Sequence, residues 1–120
     1  MTWKYFKLEE FACKCCGENK ISPALVDKLE VLRDTVCFPL IVTSGYRCPA
    51  HNASISYTGD GGPHTTGLAV DLRVDRKQAY DLLKVALELG FTGIGVQQKG
   101  NARYLHLDLL KDGRPTIWSY

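Results

Sequence analysis

The sequence has no long hydrophobic run and no block of like charges. Apolar residues make up 45% of the chain, but polar residues interrupt them well before the roughly 20 positions that a membrane-spanning helix needs. The net charge is only +2 and no lysine or arginine run occurs, so nucleic acid is not a favoured partner. Low-complexity segments and internal repeats are also absent. We therefore expect residues 1–120 to form a single globular domain without a membrane span.

Two amphipathic patterns predict helices. The first covers about 23–35, with Ser22 as a suitable N-cap residue and a proline in the first helical position. The second covers about 76–89, follows Asp75, and ends before Gly90, a typical residue just after a helix. Both patterns place apolar residues on one face, so both helices should pack against a core.

Short apolar runs between the helices predict strands, and a turn after the third of them predicts a hairpin. The stretch from Cys48 to Pro63 is rich in glycine and serine and predicts a loop. Helices segregated from a small, mainly antiparallel sheet make an α+β fold. The predicted strand ranges are 39–43, 68–74, 94–97, 104–109 and 116–119.

Three side chains in separate segments have the chemistry of a metal site. Asp71 lies in an apolar strand, where a buried carboxylate is costly unless it is paired with an arginine or bound to a metal. His64 precedes it on a predicted loop, and Gly67 allows the backbone between them to bend. His106 lies on a second predicted strand. Two imidazoles and one carboxylate leave a fourth tetrahedral position open, as in catalytic zinc sites.

These residues resemble the zinc D-Ala-D-Ala carboxypeptidase family, peptidase family M15. Its signature, S-x-H-x-x-G-x-A-x-D followed by a distant H-x-D, matches Gly62–Asp71 and His106–Asp108, except that Gly62 replaces the leading serine. The segment Ser44–Arg47 also matches a recurring family segment. The resemblance implies a fold like that of Hedgehog and the D,D-peptidases. It also implies one Zn²⁺ ion bound by the two histidines and Asp71.

The resemblance further implies an activity and a partner. We expect a zinc metallopeptidase that hydrolyses peptidoglycan stem peptides, as a D,D-carboxypeptidase or an endolysin-type endopeptidase. Met1–Phe6 has no apolar signal region, which predicts cytoplasmic synthesis without a signal peptide. The chain would then reach the cell wall after lysis or by phage-mediated release, acting as a monomer of phage or prophage origin.

The sequence constrains the catalytic and substrate-binding residues less tightly than it constrains the metal ligands. Some relatives carry an acid where this chain has Arg103, so Asp108 is a candidate for the general base, for an orienting partner of His106, or for an arginine partner. Tyr104 is a candidate donor to the developing oxyanion, or a packed aromatic. Arg47, with Ser44, is a candidate clamp for a substrate carboxylate.

Arg103 also favours an alternative function. A chain without the acid of its relatives could be a catalytically silent, zinc-stabilised module that binds the cell wall or a protein. The domain of Hedgehog proteins with this fold is an example of a zinc site retained in a ligand.

Five cysteines are many for so short a chain. Because the count is odd, at least one thiol stays free if disulfides form. The sequence leaves simple buried thiols, disulfides and a second, structural zinc site open. His51 is expected to be a loop residue rather than a metal ligand. The cysteines are Cys13, Cys15, Cys16, Cys37 and Cys48.

Overall fold

A computed structural model describes residues 3–56 and 58–120 and has an α+β fold. Five strands form a sheet in the order β1-β2-β4-β3-β5, in which the β3–β5 pair is parallel and the other pairs are antiparallel. The α-helices are α1 Pro23–Val36, α2 Pro49–Ile55 and α3 Arg76–Glu88. The strands are β1 Ile41–Ser44, β2 Ala69–Arg73, β3 Gly93–Gln97, β4 Tyr104–Asp108 and β5 Thr116–Ser119.

One face of the sheet packs against α1 and α3. Leucines of both helices, such as Leu29 and Leu82, are fully buried and share a core with Val70, Leu72 and alternate residues of β3 and β4. Burial of each such leucine contributes about 1.5–3 kcal/mol. Since side chains alternate along a strand, the residues between them face the opposite side of the sheet. That second side carries the polar residues discussed below.

The expected fold class is confirmed, and both main helices begin where their patterns predict. Pro23 is the first residue of α1, and Asp75 immediately precedes α3. Neither Ser22 nor Asp75 uses its side chain to cap its helix; Asp75 binds Arg76 instead. The β3–β4 hairpin is also present. No helix within the described ranges is both long and apolar enough to cross a membrane.

The predicted loop from Cys48 to Pro63 is wrong in part. Helix α2 occupies Pro49–Ile55, and short 3-10 helices cover Gly59–Gly61 and Pro63–Thr66; Tyr57 lies outside the described residues. Buried Asn52 holds this segment together, because its amide donates to the Thr58 hydroxyl at 2.8 Å and to the Gly59 carbonyl. These bonds join the helix to the residues just after it, so helix propensity alone did not reveal it.

Candidate metal centre

His64, Asp71 and His106 converge on the sheet face that lies opposite α1 and α3. Asp71 and His106 are directly paired across β2 and β4, and His64 reaches them from the 3-10 helix Pro63–Thr66. Asp71 Oδ1 lies 3.2 Å from His64 Nε2 and 3.1 Å from His106 Nδ1. All three residues are buried, and their candidate ligand atoms lie within 4.8 Å of one another.

Each ring has an acceptor beside both of its nitrogens, and the shorter distance lies on the side away from Asp71. His64 Nδ1 lies 2.8 Å from the Gly45 carbonyl, whereas its Nε2 lies 3.2 Å from Asp71. His106 Nε2 lies 2.8 Å from the Asp108 carboxylate, whereas its Nδ1 lies 3.1 Å from Asp71. A neutral ring has one proton to donate, and the shorter distances favour the far side for it. In the neutral rings, the other nitrogens direct lone pairs at Asp71. Asp71 Oδ1, His64 Nε2 and His106 Nδ1 are then three acceptors that face one another, so a cation or added protons must lie between them.

The electrostatics of the centre favour positive charge beside Asp71. Burial alone would raise the pKa of Asp71, but its contacts with His106 and His64, where protons stand in for a cation, hold it below its ordinary value. Burial would lower the pKa of His106, but Asp108 and Asp71 raise it overall. The same negative charges that attract a proton to the ring would attract a metal cation. Two imidazole nitrogens and a carboxylate are a donor set that zinc accepts.

Gly67 makes the approach of His64 to Asp71 possible. Its backbone is left-handed, with φ of 78°, which glycine adopts without strain. A side chain there would also overlap the carbonyl of Lys20. The carbonyl of Gly67 accepts a hydrogen bond from the Ser22 amide at 2.8 Å, which fixes the bend against the start of α1.

Asp108 lies behind His106. Its carboxylate is fully buried and binds the Arg114 guanidinium twice, at 3.0 and 2.7 Å, as well as the Leu110 amide. Burial would raise the pKa of Asp108, but the hydrogen bonds with His106 and Arg114 hold it well below its usual range. A carboxylate so occupied is a weak proton acceptor. Of the three roles left open by the sequence, this geometry fits both orienting His106 and pairing with an arginine, and it disfavours the general base.

Arg47 lies at the mouth of the centre. Its Nη2 is 3.4 Å from Asp71, its Nη1 donates to Asn52 at 3.1 Å, and its Nε donates to the Ser44 hydroxyl at 2.9 Å. Ser44 and Asn52 therefore hold the guanidinium in one orientation. These bonds use three of its five N–H groups, so two donors stay available for another acceptor.

An aromatic wall completes the cavity around the three candidate ligands. The cavity has a volume of about 230 Å³, and Tyr104, Trp118 and Tyr120 line it together with Arg47. A neighbouring cavity of about 660 Å³ shares Arg47, Asp71 and Tyr104, so these three side chains border both cavities. Burial and the charge of Asp71 raise the pKa of Tyr104, which keeps its hydroxyl protonated and able to donate.

The residues that support the aromatic wall were not predicted from the sequence. Trp118 of β5 packs at a tilt against His106, with ring centroids 5.0 Å apart, and Arg114 lies over the Trp118 ring. Gly93 and Gly95 of β3 pair with Asp108 and His106 across the sheet. A side chain on Gly93 would overlap the Asp108 carboxylate, and one on Gly95 would overlap Trp118. Alternating glycines in an otherwise apolar strand were the available signal for such close approach.

The other polar residues singled out in the sequence lie outside the centre. His51 is on α2 and lines only the larger cavity, while Arg103 donates to the Gly100 carbonyl at 2.9 Å. Among the side chains that the structure describes, Asp71 is the one carboxylate that lines the smaller cavity. An acid positioned to act as a separate base is therefore not found among them.

Comparison with known families gives one match. The sequence model of a family described as Peptidase M15 matches residues 4–108. No curated protein matches the chain. The matched region includes the three converging residues and Arg47, and it ends at Asp108. Arg114, Trp118 and Tyr120 lie beyond it, so this chain builds part of its cavity from residues that the family match does not cover.

Proposed function

Because the chain belongs to the peptidase M15 family, which implies peptidase activity, we propose that it is a zinc-dependent hydrolase of peptidoglycan stem peptides. Within that class we propose a D,D-carboxypeptidase or an endolysin-type endopeptidase. The coarser conclusion, a peptidase with a group able to hold a metal ion, follows from the family and from the buried His/Asp/His group.

The observation that carries the proposal is the orientation of the two imidazoles. Each neutral ring would donate its one proton over the shorter distance, to Gly45 or to Asp108, and present its free nitrogen to the Asp71 carboxylate. A purely structural histidine–aspartate pair would place a proton between nitrogen and oxygen. With the protons on the far sides, that space would be left to a cation.

His64, Asp71 and His106 would hold the zinc ion. When bound, zinc supplies Lewis acidity, which polarises a scissile carbonyl and makes water more acidic. The remaining donors of Arg47 would bind a peptide carboxylate, as the planar fork suits that group. The Tyr104 hydroxyl would donate to the oxygen on which charge develops. Asp108 would keep His106 in the ligating tautomer.

The proposed setting is the bacterial cell wall. A peptide stem that ends in a free carboxylate would meet Arg47, and the aromatic wall would pack against its apolar atoms. A net charge of +2 adds a weak attraction to an anionic polymer. We propose that a phage or prophage supplies the chain and that lysis or phage-mediated release brings it to this substrate.

Digestion of purified muropeptides tests the function. The zinc-loaded chain should shorten stem peptides, and mass spectrometry should identify the bond that is cut. A chelator and the His64→Ala change should each abolish the new products, while added zinc should restore activity only to the chelated wild-type chain. Intact muropeptides after prolonged incubation with zinc-loaded, folded protein would contradict the proposal.

One observation favours the silent binding module as a second candidate. The described side chains of the smaller cavity include no carboxylate besides Asp71, and Arg103 stands where some relatives have an acid. A binding module would sediment with insoluble cell wall in a zinc-dependent manner and leave a cell-wall zymogram without a cleared band. A chelator-sensitive cleared band would exclude this candidate.

A further inference from the structure

Four of the five cysteines meet at a second position in the fold. Cys13, Cys15 and Cys16 lie in a turn before α1, and Cys48 immediately precedes α2. Candidate ligand atoms of all four lie within 4.8 Å of one another. The chain separation of 33 residues between Cys15 and Cys48 means that the tertiary fold brings them together.

The spacing of the sulfur atoms fits a tetrahedral metal site. Cys15 Sγ lies 3.4 Å from Cys48 Sγ and 3.7 Å from Cys13 Sγ. Four sulfurs at about 2.3 Å from a zinc ion would lie about 3.8 Å from one another. A disulfide would require about 2.05 Å between the two sulfurs, and none of the five cysteines is joined in one.

Backbone amides support the negative charge that such ligands carry. The Cys48 amide donates to Cys13 Sγ at 3.3 Å, and the His51 amide donates to Cys48 Sγ at 3.4 Å. The turn itself is closed by the Gly17 amide, which binds the Cys13 carbonyl at 2.8 Å, and by the Cys13 amide, which binds Glu18. The backbone hydrogen bonds of the turn therefore fix the conformation that positions its cysteine side chains.

We propose that Cys13, Cys15, Cys16 and Cys48 bind a structural zinc ion. Each thiol would lose its proton to solvent on binding, and four thiolates would leave no open coordination position. The ion would cross-link the turn before α1 to the residue that follows Arg47. Lys14 of the same turn lines the larger cavity, as does Arg47. The site would thereby hold part of the wall of that cavity, and it does not depend on the proposed peptidase activity.

Metal analysis of matched variants separates the two centres. The wild-type chain and the Cys37→Ser control, whose exposed cysteine lies outside the cluster, should each hold about two zinc ions. A double Cys15→Ser and Cys16→Ser variant should keep the ion of the His/Asp/His centre, and a double His64→Ala and His106→Ala variant should keep the cysteine ion. If the wild-type chain held zinc at the cysteine cluster alone, this inference would be upheld and the assignment of the His/Asp/His centre as a zinc site would be contradicted.

Cobalt substitution provides a readout that does not require the cysteine variants to fold. Titration of the metal-free, reduced wild-type chain with Co²⁺ should produce strong thiolate-to-cobalt charge-transfer absorption, and the histidine variant should keep it. Alkylation of the native zinc protein should modify Cys37 and spare the other four thiols until a chelator is added. Absence of the charge-transfer band, rapid alkylation of all five thiols, or a disulfide within the cluster would each overturn the proposal.

Discussion

The two candidate metal centres differ in depth, donor chemistry and origin in the chain. The first centre is buried, uses nitrogen and oxygen atoms, and opens into a cavity with Arg47 and an aromatic wall. The cysteine cluster lies nearer the surface, with Cys15 and Cys16 exposed, and would surround its ion with sulfur. An open coordination position suits chemistry, whereas a closed set of thiolates suits structure. Zinc would therefore serve catalysis at the first centre and structural stability at the cysteine cluster within one small fold.

Removal of a ligand from the first centre should have the largest effect. His64→Ala deletes one of three ligands, so we expect complete loss of peptidase activity and of zinc at that centre, with the cysteine ion retained. Metal analysis and muropeptide digestion measure both. His51→Ala is the matched control, since His51 lies outside the metal group and should leave zinc content unchanged. Equal zinc content in the two variants would refute the ligand assignment.

The Asp108→Asn change should act through His106. The amide keeps the shape but weakens the bonds to the ring and to Arg114, so zinc affinity of the first centre should fall about 10–100-fold. Competition with a chelator measures this, and kinetics at saturating zinc isolate any direct effect on kcat. Asp112→Asn, an exposed neighbour, is the control. A loss in kcat of about 100-fold with unchanged zinc affinity would instead identify Asp108 as the base.

Arg47→Lys should have a smaller effect, confined to substrates with a free carboxylate. An ammonium cannot reproduce the planar fork that Ser44 and Asn52 hold in place, so KM should rise about tenfold. Steady-state kinetics on a free-acid peptide and on its amide measure the difference. Exposed Arg76→Lys serves as the control. An equal change for both peptides would argue against carboxylate binding.

The smallest effect on catalysis should come from the cysteine cluster. Cys16→Ser removes a proposed structural ligand, so we expect thermal unfolding at a lower temperature but a change of only about threefold in kcat/KM well below that temperature. Differential scanning calorimetry and muropeptide kinetics test this, with Cys37→Ser as the control. If Cys16→Ser lost as much activity as His64→Ala, the cysteine cluster would not have a purely structural role.

Local patterns predicted the framework of the fold well. The proline-led α1, the stripe of α3 and the β3–β4 hairpin all depend on residues close in sequence, and each is present. Helix α2 was missed because its segment has weak helix propensity, while the bonds of buried Asn52 to residues five to seven positions away form only in the folded segment. Arg114 could not be paired with Asp108 from sequence, as no periodic rule relates a loop residue to a strand six positions earlier.

The sequence alone pointed to His64, Asp71 and His106, because two histidines and a strand carboxylate are a zinc donor set and match the signature of the resembling family. Only the tertiary structure decided what surrounds them. Register across β2 and β4 placed His106 against Asp71, and the β3–β5 pairing placed Trp118 over Gly95, where it contacts His106. The meeting of Cys48 with the Cys13–Cys16 turn was likewise decided by folding. The physical reason is the same in both cases: a side chain's chemistry is local, but its neighbours depend on how distant segments pack.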